Sequence, residues 1–365
     1  MSNYLRLVLG LQLLVGLEGQ AQEETNKQDF IYHFSQEVSE NLSMTTTLTG
    51  RVVVAGQSGD AVLVASFAAS GRRRWTKEIA PTGAVTHGDM AIGPDGHIWV
   101  ACSTGGPMII TTLHPEEGNL HWQQEYQKAL EPGRPGQQAT PVVPRTLVPQ
   151  FDGMTVFGFG SYRKRKAPFT LKLAGNGDFQ RARSYEAIAG PLNGAAAKAP
   201  DGGLLLGYGQ RANAQRLLKV DQNGQQTFTK QLEATGFDRV ANLKALPGGG
   251  FYALLTNNTG SEFRLIRISQ QGDLVWETDK LQIPGSGSTQ AQGLAIAPDK
   301  GALITGRINT SGAIPRNEPA VIKVNPDGNY DYIRYFRDTV TPNPLYANAV
   351  AITQASGQAG YYIAG

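Results

Sequence analysis

Residues 219–231 read KVDQNGQQTFTKQ, and the chain writes nearly the same sentence twice more, as RISQQGDLVWETD at 267–279 and KVNPDGNYDYIRY at 323–335. In each copy a short apolar strand runs into a glycine turn. The turn glycines are Gly71, Gly118, Gly177, Gly224, Gly272 and Gly328, spaced 47, 59, 47, 48 and 56 residues apart. Four residues after each stand Trp75, Trp122, Arg181, Phe228, Trp276 and Tyr332, aromatic in five of six copies. Self-similarity at such a period marks a repeat architecture. Just upstream of the turns lie VLVASF, IITTL, FTLKL, RLLKV, RLIRI and VIKV, which alternate with the period of a strand.

A second turn precedes each of these strands by about 20 residues: LTG at 48–50, PDG at 94–96, FDG at 151–153, PDGG at 200–203, PGGG at 247–250, PDKG at 298–301 and SGQAG at 356–360. Asp-Gly and Gly-Gly supply the positive φ that tight hairpins need. An apolar strand follows each, such as LLLGYG, and a strand of small residues precedes it, such as GAAAKA. One unit is therefore a four-stranded antiparallel meander of about 45–50 residues, the size of a propeller blade. The expected fold is all-β, a β-propeller of about seven four-stranded blades with the last incomplete. The small first strand suits crowding around a central axis, and the aromatic of the fourth strand suits packing on the next blade. A sandwich or β-helix explains neither the four-strand period nor the uniform turns.

The expected organisation is a signal peptide over 1–21, an N-terminal segment over 22–41 and repeats over 42–365. Residues 7–17, LVLGLQLLVGL, form an apolar run after the single positive charge of Arg6, and Gly19-Gln20-Ala21 offers a small-residue cut. The run is shorter than the roughly 20 residues a bilayer span requires, and no other stretch is a candidate. The competing reading is a buried or interfacial helix. At the far end, 347–365 supply two strands and no more. DFIYHFS at 29–35 is placed to serve as the outer strand of the last blade, which still leaves one strand missing. An open sheet edge is a liability, so the expectation is a fragment whose continuation lies beyond Gly365.

Composition narrows the function. Charged residues are 17%, the net charge is +3 and the sequence pI is near 8.8. That is far from the concentrated cationic surface that nucleic acid demands. Cys102 is the single cysteine, which excludes an intrachain disulfide and reads as a small buried residue.

The element LHPEEGNLHW at 113–122 resembles the tryptophan-docking repeat of the PQQ-type quinoprotein propellers, with glycine four residues before tryptophan. The pattern APDGG–LLLGYG…LLKVDQNGQQTF is similar to secreted repeat propellers of Gram-negative bacteria. That resemblance implies a secreted, periplasmic or outer-surface protein, and its non-enzymatic members act as scaffolds or binding platforms. The quinone-binding signature is missing, since there is no vicinal cysteine pair and no acidic cluster for the accompanying metal; no cofactor is expected.

Catalytic motifs are likewise missing. There is no G-x-S-x-G, complete G-x-G-x-x-G or phosphate loop. The five histidines His33, His87, His97, His114 and His121 show no ligand spacing. His114 and His121 flank one hairpin turn and read as solvated, a metal pair being the lesser reading. NPDGNYD at 325–331 alternates acidic and amide groups, but its glycine is misplaced for a calcium loop and no downstream Glu follows. SQQGDLVW at 269–276 departs from a sialidase Asp-box at Gln271. Paired carboxylates for glycoside chemistry would come from distant blades, and nothing selects a pair. No catalytic or metal-binding residue is assigned.

Variation in length points to a binding face. Residues 127–146, 160–168 and 306–319 interrupt the repeat, and all three connections belong to one end of the blades. Loops on a rigid scaffold commonly carry recognition. The candidate ligand-binding residues there are Arg134, Arg145, Tyr162, Arg163, Lys164, Arg165, Lys166, Arg211, Arg307 and Arg316, with His87 nearby. They read either as solvated loop charges or as an anion-attracting mouth for a protein or acidic glycan. The expected function is a secreted non-enzymatic binding or scaffold module; the alternative is a glycan hydrolase or lyase, or a degenerate quinoprotein.

Overall fold

The computed structural model describes residues 8–12, 30–33, 42–68, 70–81, 83, 85–126, 142–162, 165–185, 193–209, 215–232, 237, 239–257, 262–278, 286–310, 316–335, 349–353 and 360–364. Six four-stranded antiparallel sheets each arise from one stretch of chain. They are blade 1 (43–79), blade 2 (86–126), blade 3 (143–184), blade 4 (193–232), blade 5 (239–277) and blade 6 (286–335). In every blade the strands pair in chain order. The first strands of successive blades lie side by side.

The expectation of about seven blades, the last one incomplete, is corrected. Six blades are whole, and the C-terminal strands Ala349–Thr353 and Gly360–Ala364 are not left as half of another. They belong to a four-stranded closing sheet with Val8–Gln12 and Phe30–His33, the latter outermost. Leu9 pairs with Ala364 and Leu11 with Tyr362. Ala349–Thr353 lies beside the first strands of blades 6 and 1 and so joins the two ends of the row. Pairing supplies the hydrogen bonds that an unpaired edge would lack.

Each blade's middle strands are buried on both sides. In blade 2, Ile98, Val100 and Cys102 pack with Val53, Val62 and Val64 of blade 1. The alternate residues Trp99 and Ala101 pack with Leu147, Val156 and Leu171 of blade 3. The same arrangement repeats between blades 3 and 4, 4 and 5, and 5 and 6. A strand covered on both faces reads as a continuous apolar run, as in IWVACS, because both parities must leave water. Cys102 sits in this core, and burial pushes its thiol up to about 12. Among the described residues no helix is long and apolar enough to cross a membrane.

The repeated ring side chains connect the blades. Trp75 of blade 1 covers Gly118 in the last turn of blade 2 so closely that a Cβ there would lie 2.6 Å from the indole. Its Nε1 donates to the Pro115 carbonyl at 3.1 Å. Trp276 of blade 5 covers Gly328 and donates to the Pro326 carbonyl at 3.0 Å. Trp122 and Phe228 lie against Gly177 and Gly272 in the same way. Arg181 departs from the pattern without losing the contact, since its guanidinium donates to the Gln222 carbonyl and the Asn223 side chain of blade 4's turn.

One turn carries strain. Lys300 has φ of 67°, at the place where blades 2 and 4 put Gly96 and Gly202. It is the sole non-glycine residue with positive φ among the described residues. A left-handed residue costs roughly 1–2 kcal/mol, of which the flexibility of glycine returns part. Lys300→Gly is therefore expected to raise the unfolding free energy by about 0.5–1 kcal/mol. A urea midpoint unchanged or lowered in that variant contradicts the expectation.

Candidate site at the channel mouth

The first strands surround a central channel, and four of them carry a local irregularity, which in blade 3 falls on a charged residue. In blade 3 the register shifts between Pro144 and Thr146, so Arg145 is an extra residue within the strand Val143–Gln150. The same shift occurs at His87/Asp89, Val240/Asn242 and Ala291/Gly293 of blades 2, 5 and 6. Such bulges re-aim side chains and gather beside functional sites.

Arg145 and Arg239, from blades 3 and 5, converge near the end where the second and third strands connect. These blades are not neighbours, so their mutual influence acts across the channel. Burial lowers the Arg145 pKa, and the Arg239 guanidinium lowers it further. The Nε of each is buried with no hydrogen-bond partner among the described residues. Further in, Asp89 accepts a hydrogen bond from the Leu147 amide at 2.8 Å. Burial raises its carboxyl to about 6, against the backbone bonds and the Lys244 charge, which lower it. Lys244 reaches in from blade 5; burial lowers its ammonium pKa and Asp89 opposes that. Lys244 is accessible to solvent yet deep among protein atoms, as befits a side chain standing in a narrow open channel. The mouth itself carries the two arginines, suited to an anion, while Asp89 and Lys244 lie deeper in the channel.

The sequence-named residues divide. Arg134, Arg163, Lys164 and Arg211 lie outside the described residues. Tyr162, Arg165, Lys166 and Arg316 are placed as strand positions, not as loop. Within 160–168, residues 160–162 and 165–168 are strand, and Tyr162 pairs with Arg165 at the end of a long hairpin, Gly153–Tyr162 with Arg165–Ala174. Residues 306–319 are likewise largely paired, Thr310 with Arg316. Arg307 is half-buried on the second strand of blade 6, opposite Pro319. Arg145 belongs to the channel wall and not to a loop tip. His87 is not on the surface either: it is buried, its Nε2 within 2.7 Å of the Ser43 hydroxyl, and burial lowers it to about 4.

Similarity to known proteins enters at the level of shape. No protein-family model and no curated protein sequence matches the chain. Among solved structures, a catalytically inactive virginiamycin B lyase from Staphylococcus aureus, determined with quinupristin, is similar at a TM-score of 0.54 and 11% identity, over 88% of this chain and 93% of that one. A Lactobacillus plantarum protein is similar at 0.54 and 13% identity, over 91% and 100%. The Dos1 propeller is similar at 0.53 and 12% identity, over 93% and 80%. The fold is a β-propeller. Identities this low carry the architecture and no activity.

Sequence reasoning missed Asp89, Arg239 and Lys244, and it left His97 apart from His114 and His121, which the propeller brings together. All three had the same weak signal, as charged residues in first strands whose other positions are mostly small, apolar or uncharged polar.

Proposed function

We propose that the protein is a non-enzymatic propeller that binds an acidic partner, a protein or a glycan, at the channel mouth and the long hairpins of blades 3 and 6. The observation carrying this reading is the convergence of Arg145 and Arg239 with both Nε atoms unpartnered. A buried donor without an acceptor is costly, and an anion entering the mouth would satisfy it. The tryptophan docking between blades agrees with the quinoprotein-type likeness, and residues 7–17 agree with export from a Gram-negative cytoplasm. The mature N-terminus, read by intact mass, separates cleavage after Ala21 from retention of Val8–Gln12 in the closing sheet.

The wild-type protein is expected to be retained at low ionic strength on an immobilised acidic polysaccharide or acidic peptide. Arg145→Gln with Arg239→Gln is expected to weaken that binding roughly tenfold or more. Reversing the charges of Arg163, Lys164, Arg165 and Lys166 is expected to lower the eluting salt as well. Elution of both variants with the wild type contradicts the reading.

A second reading, a hydrolase or lyase acting on glycans, is favoured by Asp89. A carboxyl raised to about 6 within the influence of a lowered lysine suits proton transfer near neutral pH. Turnover lost in Asp89→Asn, with polysaccharide retention intact, selects it.

A further inference from the structure

On the face of the propeller opposite the long hairpins, blade 2 breaks its own repeat at three places, and all three breaks introduce histidine. His97 follows the first turn, where blades 4 and 6 have Gly203 and Gly301. At Gly301 a Cβ would lie 2.5 Å from the Lys323 Nζ. Lys219 and Lys323 there pair with Asp201 and Asp299 of the same blade's first turn, as Lys172 pairs with Asp152 in blade 3. The corresponding residue in blade 2 is Thr112, which opens the space for a side chain at 97 and leaves Asp95 without a lysine.

The second break is His114. Its counterparts Asp221, Ser269 and Asn325 accept hydrogen bonds from two amides of their own turns. Imidazole on a longer turn does not repeat that cap. The third is His121, the extra residue where the register shifts between Leu120 and Trp122. The other blades put Arg74, Gln180, Thr227, Val275 and Asp331 at this bulge.

These positions meet because strands two, three and four are adjacent. Ile98 pairs with Leu113 and Leu113 with Leu120, so the residues beyond them form one row. His97 Nε2 lies 3.1 Å from His114 Nδ1. His97 and His121 stack at 4.3 Å between centroids. One nitrogen from each of the three lies within 4.8 Å of the others. Asp95 Oδ2 stands 2.8 Å from His97 Nδ1, and Asp95 Oδ1 accepts the His97 amide at 3.1 Å.

We infer that His97, His114 and His121 form a binding site for a divalent transition metal of zinc type. A tetrahedral zinc with bonds of 2.0–2.1 Å holds its nitrogens roughly 3.3 Å apart. The His97–His114 pair already has nearly that spacing. His121 is exposed and closes the remaining gap by side-chain rotation. With His97 Nδ1–H donating to Asp95, its Nε2 lone pair faces the cluster, and carboxylates in this role orient and strengthen ligating imidazoles. The metal replaces the proton that otherwise bridges His97 and His114. Three imidazoles suit Zn(II), Ni(II) or Cu(II) over Mg(II) or Ca(II). The fourth position opens to solvent, where water or a partner's donor completes the shell.

The test titrates Zn(II) into the untagged full chain by calorimetry, with Co(II) as a visible-absorption probe of geometry. One equivalent is expected to bind with a tetrahedral Co(II) spectrum. His121→Ala, an exposed substitution, is expected to weaken Zn(II) binding at least tenfold. Asp95→Asn is expected to weaken it by roughly 10–100-fold. Zn(II) binding by the wild type no tighter than by the triple variant His97→Ala/His114→Ala/His121→Ala overturns the site. So does an octahedral Co(II) spectrum that His121→Ala leaves unchanged.

Discussion

Gly118→Val is expected to lower the unfolding free energy by about 3 kcal/mol or more, a large loss for a single turn residue. Two costs combine. Gly118 has φ of 71°, a conformation a β-branched residue adopts only with strain of about 1–2 kcal/mol. Its new Cβ would also meet the Trp75 ring at 2.6 Å, and such overpacking costs typically 1–3 kcal/mol. Trp75→Ala is expected to cost about 3 kcal/mol by itself, since it removes an inter-blade ring and its hydrogen bond to Pro115. Trp75→Phe is expected to cost about 1 kcal/mol, because it gives up the hydrogen bond and keeps most of the packing. The double variant Trp75→Ala/Gly118→Val should cost less than the two singles together: the clash disappears with the indole, and the backbone strain remains. Urea unfolding of the four proteins measures the cycle. Additivity would mean that Trp75 and Gly118 do not hold blades 1 and 2 together.

The second large effect lies in the pH dependence of stability. His87 and Asp89 are two residues apart, and burial shifts them in opposite directions. His87, lowered to about 4, stays neutral in the fold while the unfolded chain takes up its proton below 6.5. It therefore costs stability as pH falls from 6.5 toward 4. Asp89, raised to about 6, keeps its proton in the fold while the unfolded chain has released it above 3.8. It therefore adds stability as pH falls from 6 toward 3.8. Each full difference corresponds to about 3 kcal/mol. In the wild type the two slopes offset, and the pair contributes little net pH dependence over that window. Asp89→Asn keeps an acceptor for the Leu147 amide and unmasks His87: this variant is expected to lose about 3 kcal/mol as pH falls from 6.5 to 4, while matching or exceeding the wild type above 7. His87→Asn is expected to show the reverse slope. Unfolding curves for both variants that run parallel to the wild type across the window contradict this account.

How much of this was legible in the chain follows the range of the interactions involved. Turn glycines, strand periodicity and the aromatic four residues on are local, so the blade could be read from any one copy and checked against five others. Even docking was legible, because a ring opposite a residue without a Cβ is a complementary shape that the repeat writes at a constant spacing. The ends of the long hairpins were misread as loops, since Ser161, Tyr162, Arg165, Lys166, Asn309 and Thr310 lack apolar alternation and their pairing depends on a partner strand rather than on propensity. The histidine trio escaped spacing rules because His97 and His114 come from two different turns of blade 2, 17 residues apart. Comparison of the blades with one another would have exposed it, as three histidines stand where the other copies have glycine, a turn cap or a bulge residue.

The sequence by itself determined a ring of four-stranded antiparallel blades, because hydrogen-bonded hairpins and two-sided burial are specified by residues close together along the chain. The tertiary structure alone decided that the strands near both chain ends share a closing sheet, that Arg145 and Arg239 sit at the same end of their first strands close enough to influence one another, and that three imidazoles meet on blade 2. Each of those depends on register, bulges and ring closure, which bring together residues whose separation along the chain carries no trace of their separation in space.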